Sequence, residues 1–145
     1  MIRTGRRIRL CAALLTALLV FIWGNSLMPG EVSQAISDFV QHLLFGTELV
    51  PGRIPTGSGI VRKLAHFTEF LGLGMTLCWL FAMLGRGWKP AFLSGAAAAC
   101  IDETIQAFVP DRAPRLFDVC IDSLGVLTGI ALLLLGHTYL KKRSA

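Results

Sequence analysis

Long apolar segments alternate with short charged ones along this chain of 145 residues. Four of the apolar segments, at approximately 10–28, 64–84, 90–108 and 119–140, come close to the roughly twenty residues that an α-helix needs to cross a hydrocarbon core. Most charged residues lie between these segments or at their ends. The pattern predicts an all-α fold, an integral membrane four-helix bundle.

Segment 31–45 has a different pattern, which predicts a shorter amphipathic helix. Its polar residues occupy other helical faces than its apolar residues, which are Val32, Ile36, Phe39, Val40, Leu43 and Leu44. Such a stripe is typical of a helix that lies in the membrane interface and does not cross it. The prediction is an additional extracytoplasmic interfacial helix, followed by an irregular loop over 47–59, where prolines, glycines and serines are frequent.

Composition supports a membrane protein and argues against a nucleic-acid-binding one. Hydrophobic residues make up 54% of the chain, charged residues only 16%, and the mean hydropathy is +0.64. The net charge of +5 comes from basic residues beside apolar segments, which form no long basic face with interleaved aromatic residues. The four cysteines have no metal-binding or redox spacing. A disulfide between Cys100 and Cys120 is left open.

The distribution of basic residues predicts the orientation in the membrane. With a cytoplasmic amino terminus, nine of the 14 basic residues lie on the cytoplasmic side and five on the other side. The positive-inside rule therefore favours a multi-pass protein of the bacterial cytoplasmic membrane with both termini in the cytoplasm. All nine acidic residues then lie on the outer side or in the outer half of the membrane. One end of the bundle is predicted to be polar and extracytoplasmic.

Polar residues of three predicted spans and one loop should meet at this outer end, because consecutive spans are antiparallel. Residues three or four positions apart share a helix face, which groups the side chains of each span. The residues concerned are Lys63, His66 and Glu69 from the second span, Asp102, Glu103 and Gln106 from the third, Arg112 and Arg115 from the loop, and Asp118 and Asp122 from the fourth. Ionisable residues at membrane depth are candidates for a functional site.

Four polar motifs follow one another from the first predicted span to the fourth. They are Asn25-Ser-Leu-Met-Pro29-Gly30, Lys63-x-x-His66-Phe-x-Glu69-Phe, Asp102-Glu103-x-x-Gln106-x-Phe-x-Pro110-x-Arg112 and Asp118-x-x-x-Asp122-x-x-Gly125. In this combination the chain resembles the VanZ-like membrane proteins, a family named for a factor associated with teicoplanin resistance. The resemblance implies one envelope-associated membrane domain over 1–145. Asp122 departs from the asparagine that is common in the family, and it adds a negative charge.

The first functional hypothesis is the binding of an anionic lipid or lipid-linked precursor headgroup in an outer-leaflet polar pocket. Lys63, Arg112 and Arg115 would contact the phosphate or carboxylate, and nearby carboxylates, including Glu69, Asp102 and Asp118, would orient these cations. Gln106 and Asp122 complete the predicted ligand-binding set. The partners are therefore membrane lipids or a lipid-linked envelope precursor, with a contribution to teicoplanin tolerance implied by the resemblance. Oligomerisation is left open.

Two alternatives use the same residues. A metal-assisted hydrolase or transferase acting on a lipid phosphate would use His66, Glu69, Asp102 and Glu103 for catalysis, with a divalent cation held by ligands that the sequence does not assign. A purely structural network would instead pair Lys63, Arg112 and Arg115 with the acidic side chains. The sequence therefore leaves catalysis open.

Overall fold

The computed structural model describes residues 2–46 and 58–143, and these residues form five α-helices and no strand. The helices are α1 (Ile2–Ser26), α2 (Gly30–Phe45), α3 (Ser58–Met83), α4 (Trp88–Gln106) and α5 (Leu116–Arg143). The all-α prediction is confirmed. Of the predicted loop over 47–59, residues 47–57 lie outside the described residues, whereas 58 and 59 begin α3.

Three of these helices are long and apolar enough to cross a membrane, as judged by length and composition: α1, α3 and α5. The predicted third span corresponds to α4, which is helical over 19 residues but is not among the three. Lys89, Asp102 and Glu103 all lie within it and lower its apolar character. The helices are consistent with a membrane protein, and the crossing of α4 stays a prediction.

Helix α2 coincides with the segment expected to form an amphipathic helix. Gly46 ends it in the left-handed conformation (φ 63°), which glycine adopts without a steric penalty, and donates its N–H to the carbonyl of His42. The apolar stripe points away from the bundle: Phe39 is 61% exposed, whereas the polar Ser37 is buried. This arrangement suits apolar surroundings better than water, so it favours the predicted interfacial position.

Helix α3 contacts all four other helices, and its contact with α5 is the most extensive. Glycines allow the two backbones to touch. A Cβ atom at Gly125 would lie 2.6 Å from the carbonyl oxygen of Phe67, and Cβ atoms at Gly74 or Gly129 would also overlap the facing backbone. Gly125 and Gly129 lie four positions apart on α5, a spacing of small residues that permits close helix packing.

Small residues also bring α4 against α5. Gly95, Ala98 and Ala99 are buried, and a Cβ atom at Gly95 would lie 2.5 Å from Cγ1 of Val126. Small residues permit such close contact between helices. All four cysteines are free thiols, so Cys100 and Cys120 are not bonded to each other in this structure.

Candidate functional site

A polar cluster lies where the carboxyl ends of α1 and α4 meet the amino-terminal parts of α3 and α5. Ser26, Asp102, Gln106 and Asp122 are buried in it, and Ser26 and both aspartates have no exposed surface. Polar groups buried to this extent normally need hydrogen bonds or opposite charges nearby. The partners of each group therefore define what the cluster can do.

Asp102 is the most fully hydrogen-bonded carboxylate of the cluster. The Ser26 hydroxyl donates to Oδ1 at 2.6 Å, and Nε2 of Gln106 donates to Oδ2 at 2.9 Å. The second bond joins residues four positions apart on α4, as the sequence predicted, and the first joins residues that are 76 positions apart. Asp102 is thus held in one orientation by neighbours from two helices.

Asp122, by contrast, has no hydrogen-bond partner for either carboxylate oxygen. The basic side chain beside it is His66, whose Nδ1 lies 3.9 Å from Oδ1 of Asp122 and 3.7 Å from Oδ2 of Asp102. One donor atom from each of these three residues lies within 4.8 Å of the others, so they could together hold a metal ion. The side chain of His66 retains 17% of its exposure and lies towards the outside of the cluster.

The remaining carboxylates have separate partners. Glu69 accepts a hydrogen bond from the Asn25 amide at 2.9 Å, which links α3 to the end of α1. Glu103 accepts one from the backbone N–H of Arg115 at 2.8 Å, and this bond fixes the turn between α4 and α5. Asp118 is half-buried, and one of its oxygens has no hydrogen-bond partner.

The basic residues do not pair with these carboxylates as the sequence hypotheses expected. Arg112 donates from Nε to the Met28 carbonyl at 3.1 Å and from Nη2 to the Asn25 carbonyl at 3.3 Å. Carbonyls at a helix carboxyl end lack helical partners and attract cations, which explains this preference. Burial, together with the nearby positive charge of Arg62, lowers the pKa of Arg112.

Lys63 instead lies over the Phe117 ring, with Nζ 4.9 Å from the ring centroid. Among residues 5–44, 46 and 59–143, whose side chains the structure describes, the contacts of a basic side chain with a carboxylate of the cluster are those of His66 with Asp102 and Asp122, which are ion pairs only when the imidazole is protonated. The proposed structural network of lysine and arginine pairs is therefore not what the structure contains. Instead of pairing with carboxylates, Lys63 contacts an aromatic ring and Arg112 donates hydrogen bonds to main-chain carbonyls.

Two cavities open beside the cluster. A small one has room for about one water-sized sphere and is lined by Arg62, Lys63, His66, Glu103, Gln106, Asp118, Ile121 and Asp122. A larger pocket lies between α2 and α3, with Arg62, His66, Glu69 and Arg112 on its polar side and Ile36, Val40, Val61 and Ala65 among its apolar residues. The larger pocket thus joins a charged part to a hydrocarbon part.

Sequence reasoning missed three residues of this region. Ser26 and Asn25 hydrogen-bond to Asp102 and Glu69, and Arg62 lines both cavities. Asn25 and Ser26 belong to the first motif, so their place next to Pro29 and Gly30 was the available signal. Arg62 was counted only as a charge flanking a span.

Together, the apolar helices and the buried polar cluster define a small polytopic α-helical membrane protein. The family model of VanZ/LLP1 matches residues 11–137, so the chain belongs to the VanZ/LLP1 family. This match confirms the resemblance that the four motifs indicated. No curated protein and no solved structure matches the chain significantly.

Proposed function

We propose that this membrane protein binds the anionic headgroup of a membrane lipid, or of a lipid-linked envelope precursor, at its polar end. The observation that carries the proposal is the pocket between α2 and α3, which has Arg62 and Arg112 on one side and aliphatic side chains on the other. A lipid has the same division between a charged headgroup and an apolar chain. A small soluble anion would leave the aliphatic part of the pocket unused.

Arg112 is suited to contact a phosphate in this pocket. A guanidinium has five N–H donors in a planar arrangement, and two hydrogen bonds to the carbonyls of Met28 and Asn25 hold it in place. Its remaining donors are available for an anion, and charge-assisted hydrogen bonds to phosphate are among the stronger ones in proteins. Arg62 would add a second positive charge, whereas Lys63 and Arg115, the other cationic contacts that the sequence predicted, do not line this pocket.

The predicted orientation puts the pocket at the outer leaflet of the cytoplasmic membrane. There α2, with its outward apolar side, would lie in the interface and form one wall of the pocket. Binding or shielding of an envelope lipid at this place offers a physical route to teicoplanin tolerance, which we propose as the cellular role on the basis of the family.

We propose that the protein binds the lipid and does not catalyse a reaction on its phosphate. Asp102 and Asp122 are completely buried and do not line the pocket between α2 and α3, and neither does Glu103, so His66 and Glu69 are the catalytic candidates that line it. A hydrolase or transferase acting on a lipid phosphate in that pocket would need its acid, base or metal ligands beside the reacting phosphorus. The proposed role of the aspartates is therefore to support the site, not to react with the lipid.

Lipid titration of the delipidated full-length protein in detergent tests the proposal. Native mass spectrometry should detect tighter binding of dioleoyl phosphatidylglycerol than of dioleoyl phosphatidylcholine. The double substitution Arg62→Gln and Arg112→Gln should weaken phosphatidylglycerol binding by roughly tenfold or more, since a hydrogen bond to a charged group contributes about 1.5–3 kcal/mol. Soluble glycerol phosphate should bind more weakly than the lipid.

The matched control is Arg86→Gln with Lys89→Gln, which removes two exposed cations, one from the turn after α3 and one from the start of α4, at the other end of the bundle. This control should keep the preference for phosphatidylglycerol. Equal affinity of the wild type for the two lipids, or equal losses in the two double variants, would contradict the proposal.

A further inference from the structure

Three side chains from different helices place metal-binding atoms around one point inside the polar cluster. His66 of α3, Asp102 of α4 and Asp122 of α5 each offer one atom, and these atoms lie within 4.8 Å of one another. We propose that His66, Asp102 and Asp122 form a binding site for a single divalent transition-metal ion such as Zn²⁺. The site adjoins the lipid pocket through His66, which lines that pocket, whereas Asp102 and Asp122 do not.

Asp122 is the residue that most requires a ligand. Its side chain is completely buried, neither of its oxygens accepts a hydrogen bond, and it lines the small cavity. An isolated buried carboxylate is costly, and a second one at Asp102 adds repulsion. Within the described side chains no lysine or arginine forms an ion pair with either aspartate, so a bound cation would balance the two charges.

The distances are close to those that a metal site needs. Nδ1 of His66 lies 3.7 Å from Asp102 Oδ2 and 3.9 Å from Asp122 Oδ1. Zinc binds imidazole nitrogen and carboxylate oxygen at about 2.0–2.2 Å, which separates tetrahedral donors by about 3.4 Å. The two distances from His66 exceed this separation by a few tenths of an ångström and the other donor pair lies within 4.8 Å, so rotations of the side chains would complete the coordination.

The surroundings already orient one of the three ligands. The Ser26 hydroxyl and the Gln106 amide donate to the two oxygens of Asp102, as partners of metal-bound carboxylates commonly do. The small cavity beside Asp122 has room for about one water-sized sphere, which fits the ion or the water that would complete its coordination. One imidazole with two carboxylates suits a borderline ion such as Zn²⁺ better than a soft one such as Cu⁺.

The test uses Zn²⁺ alone, added to full-length protein that has been delipidated in detergent and treated with a chelator. Isothermal titration calorimetry should find one tight site per chain in the wild type. Asp122→Asn, which keeps the shape and removes the charge, should lower the affinity by about tenfold or more. The control His137→Gln, which changes an exposed histidine elsewhere, should retain it.

X-ray absorption of the zinc-loaded wild type keeps the test valid even where a variant fails to fold. The expected spectrum has only nitrogen and oxygen ligands at about 2.0–2.2 Å, with one imidazole among them. Sulfur ligands, two or more imidazoles, no stoichiometric binding, or unchanged affinity in folded Asp122→Asn would overturn the proposal. Because no lipid is present, these outcomes are independent of the phosphatidylglycerol preference.

Discussion

Helices α3 and α5 meet in two very different ways along their length. Near Gly74, Gly125 and Gly129 their backbones touch, and there is no space for even one additional methyl group. One to two turns towards the polar end, His66 and Asp122 face each other across 3.9 Å, beside a small cavity. The same two helices therefore contact each other through their backbones at one place and through ionisable side chains at another.

The glycine contact holds the fold together, whereas the polar contact offers groups that could bind a ligand. At the glycine contact, shape alone decides the approach of the helices, so no hydrogen bond or ligand is needed. At the polar end, each buried charge needs a partner, and Asp122 lacks a hydrogen bond within the described chain. Substitutions at the first contact should affect folding, whereas those at the second should also affect binding.

The largest effect is expected from Gly129→Leu. The new side chain would overlap the backbone of α3 at Leu71 and Met75, so the two helices would have to separate. We expect a loss of more than about 3 kcal/mol in the free energy of unfolding, beyond the usual cost of overpacking. Unfolding by denaturing detergent, followed by circular dichroism, measures it.

Gly136→Leu is the matched control, since nothing lies within 4 Å of a Cβ atom there. Its unfolding should resemble that of the wild type. Similar unfolding of both leucine variants would show that the close contact does not hold α3 and α5 together.

A smaller effect is expected from Ser26→Ala at the polar end. The substitution removes the hydroxyl that donates to Asp102 at 2.6 Å and leaves a buried acceptor without that donor. The free energy of unfolding should fall by about 1.5–3 kcal/mol, the range for hydrogen bonds to charged groups. The same detergent titration applies.

Thr104→Ala removes an exposed hydroxyl that donates only to the Cys100 carbonyl within its own helix, so it serves as the control. It should change stability by less than about 0.5 kcal/mol. If Ser26→Ala were equally mild, the hydrogen bond to Asp102 would not contribute to the packing of α1 against α4.

The smallest effect is expected from Asn25→Ala. Its amide donates to Glu69 at 2.9 Å, but both side chains are only part-buried, so water can replace part of the bond. A loss of about 0.5–1.5 kcal/mol is expected. A loss larger than that of Ser26→Ala would reverse the order of importance that burial predicts for the two bonds.

Local patterns in the sequence were enough to predict several of these features. The position of α2 was predicted from helical periodicity, which depends only on neighbouring residues. The pairing of Asp102 with Gln106 was likewise visible, since residues four positions apart share a helix face. Antiparallel spans were sufficient to bring His66, Asp102 and Asp122 to one end.

Competition between partners could not be predicted in the same way. The charge of Arg112 suggested a carboxylate or phosphate partner, yet two main-chain carbonyls at the end of α1 accept its hydrogen bonds. Ser26 reaches Asp102 only because α1 packs beside α4, and no periodicity encodes that contact. Which of several nearby acceptors a side chain uses depends on the three-dimensional packing.

The most direct test of the headgroup site at the polar end is the lipid that remains on protein extracted from membranes. Lipid mass spectrometry should find anionic phospholipid on the wild type and on Arg86→Gln with Lys89→Gln. The Arg62→Gln and Arg112→Gln double variant should lose most of it while keeping its helical circular dichroism. The same anionic lipid content in all three proteins would contradict a headgroup site at the polar end.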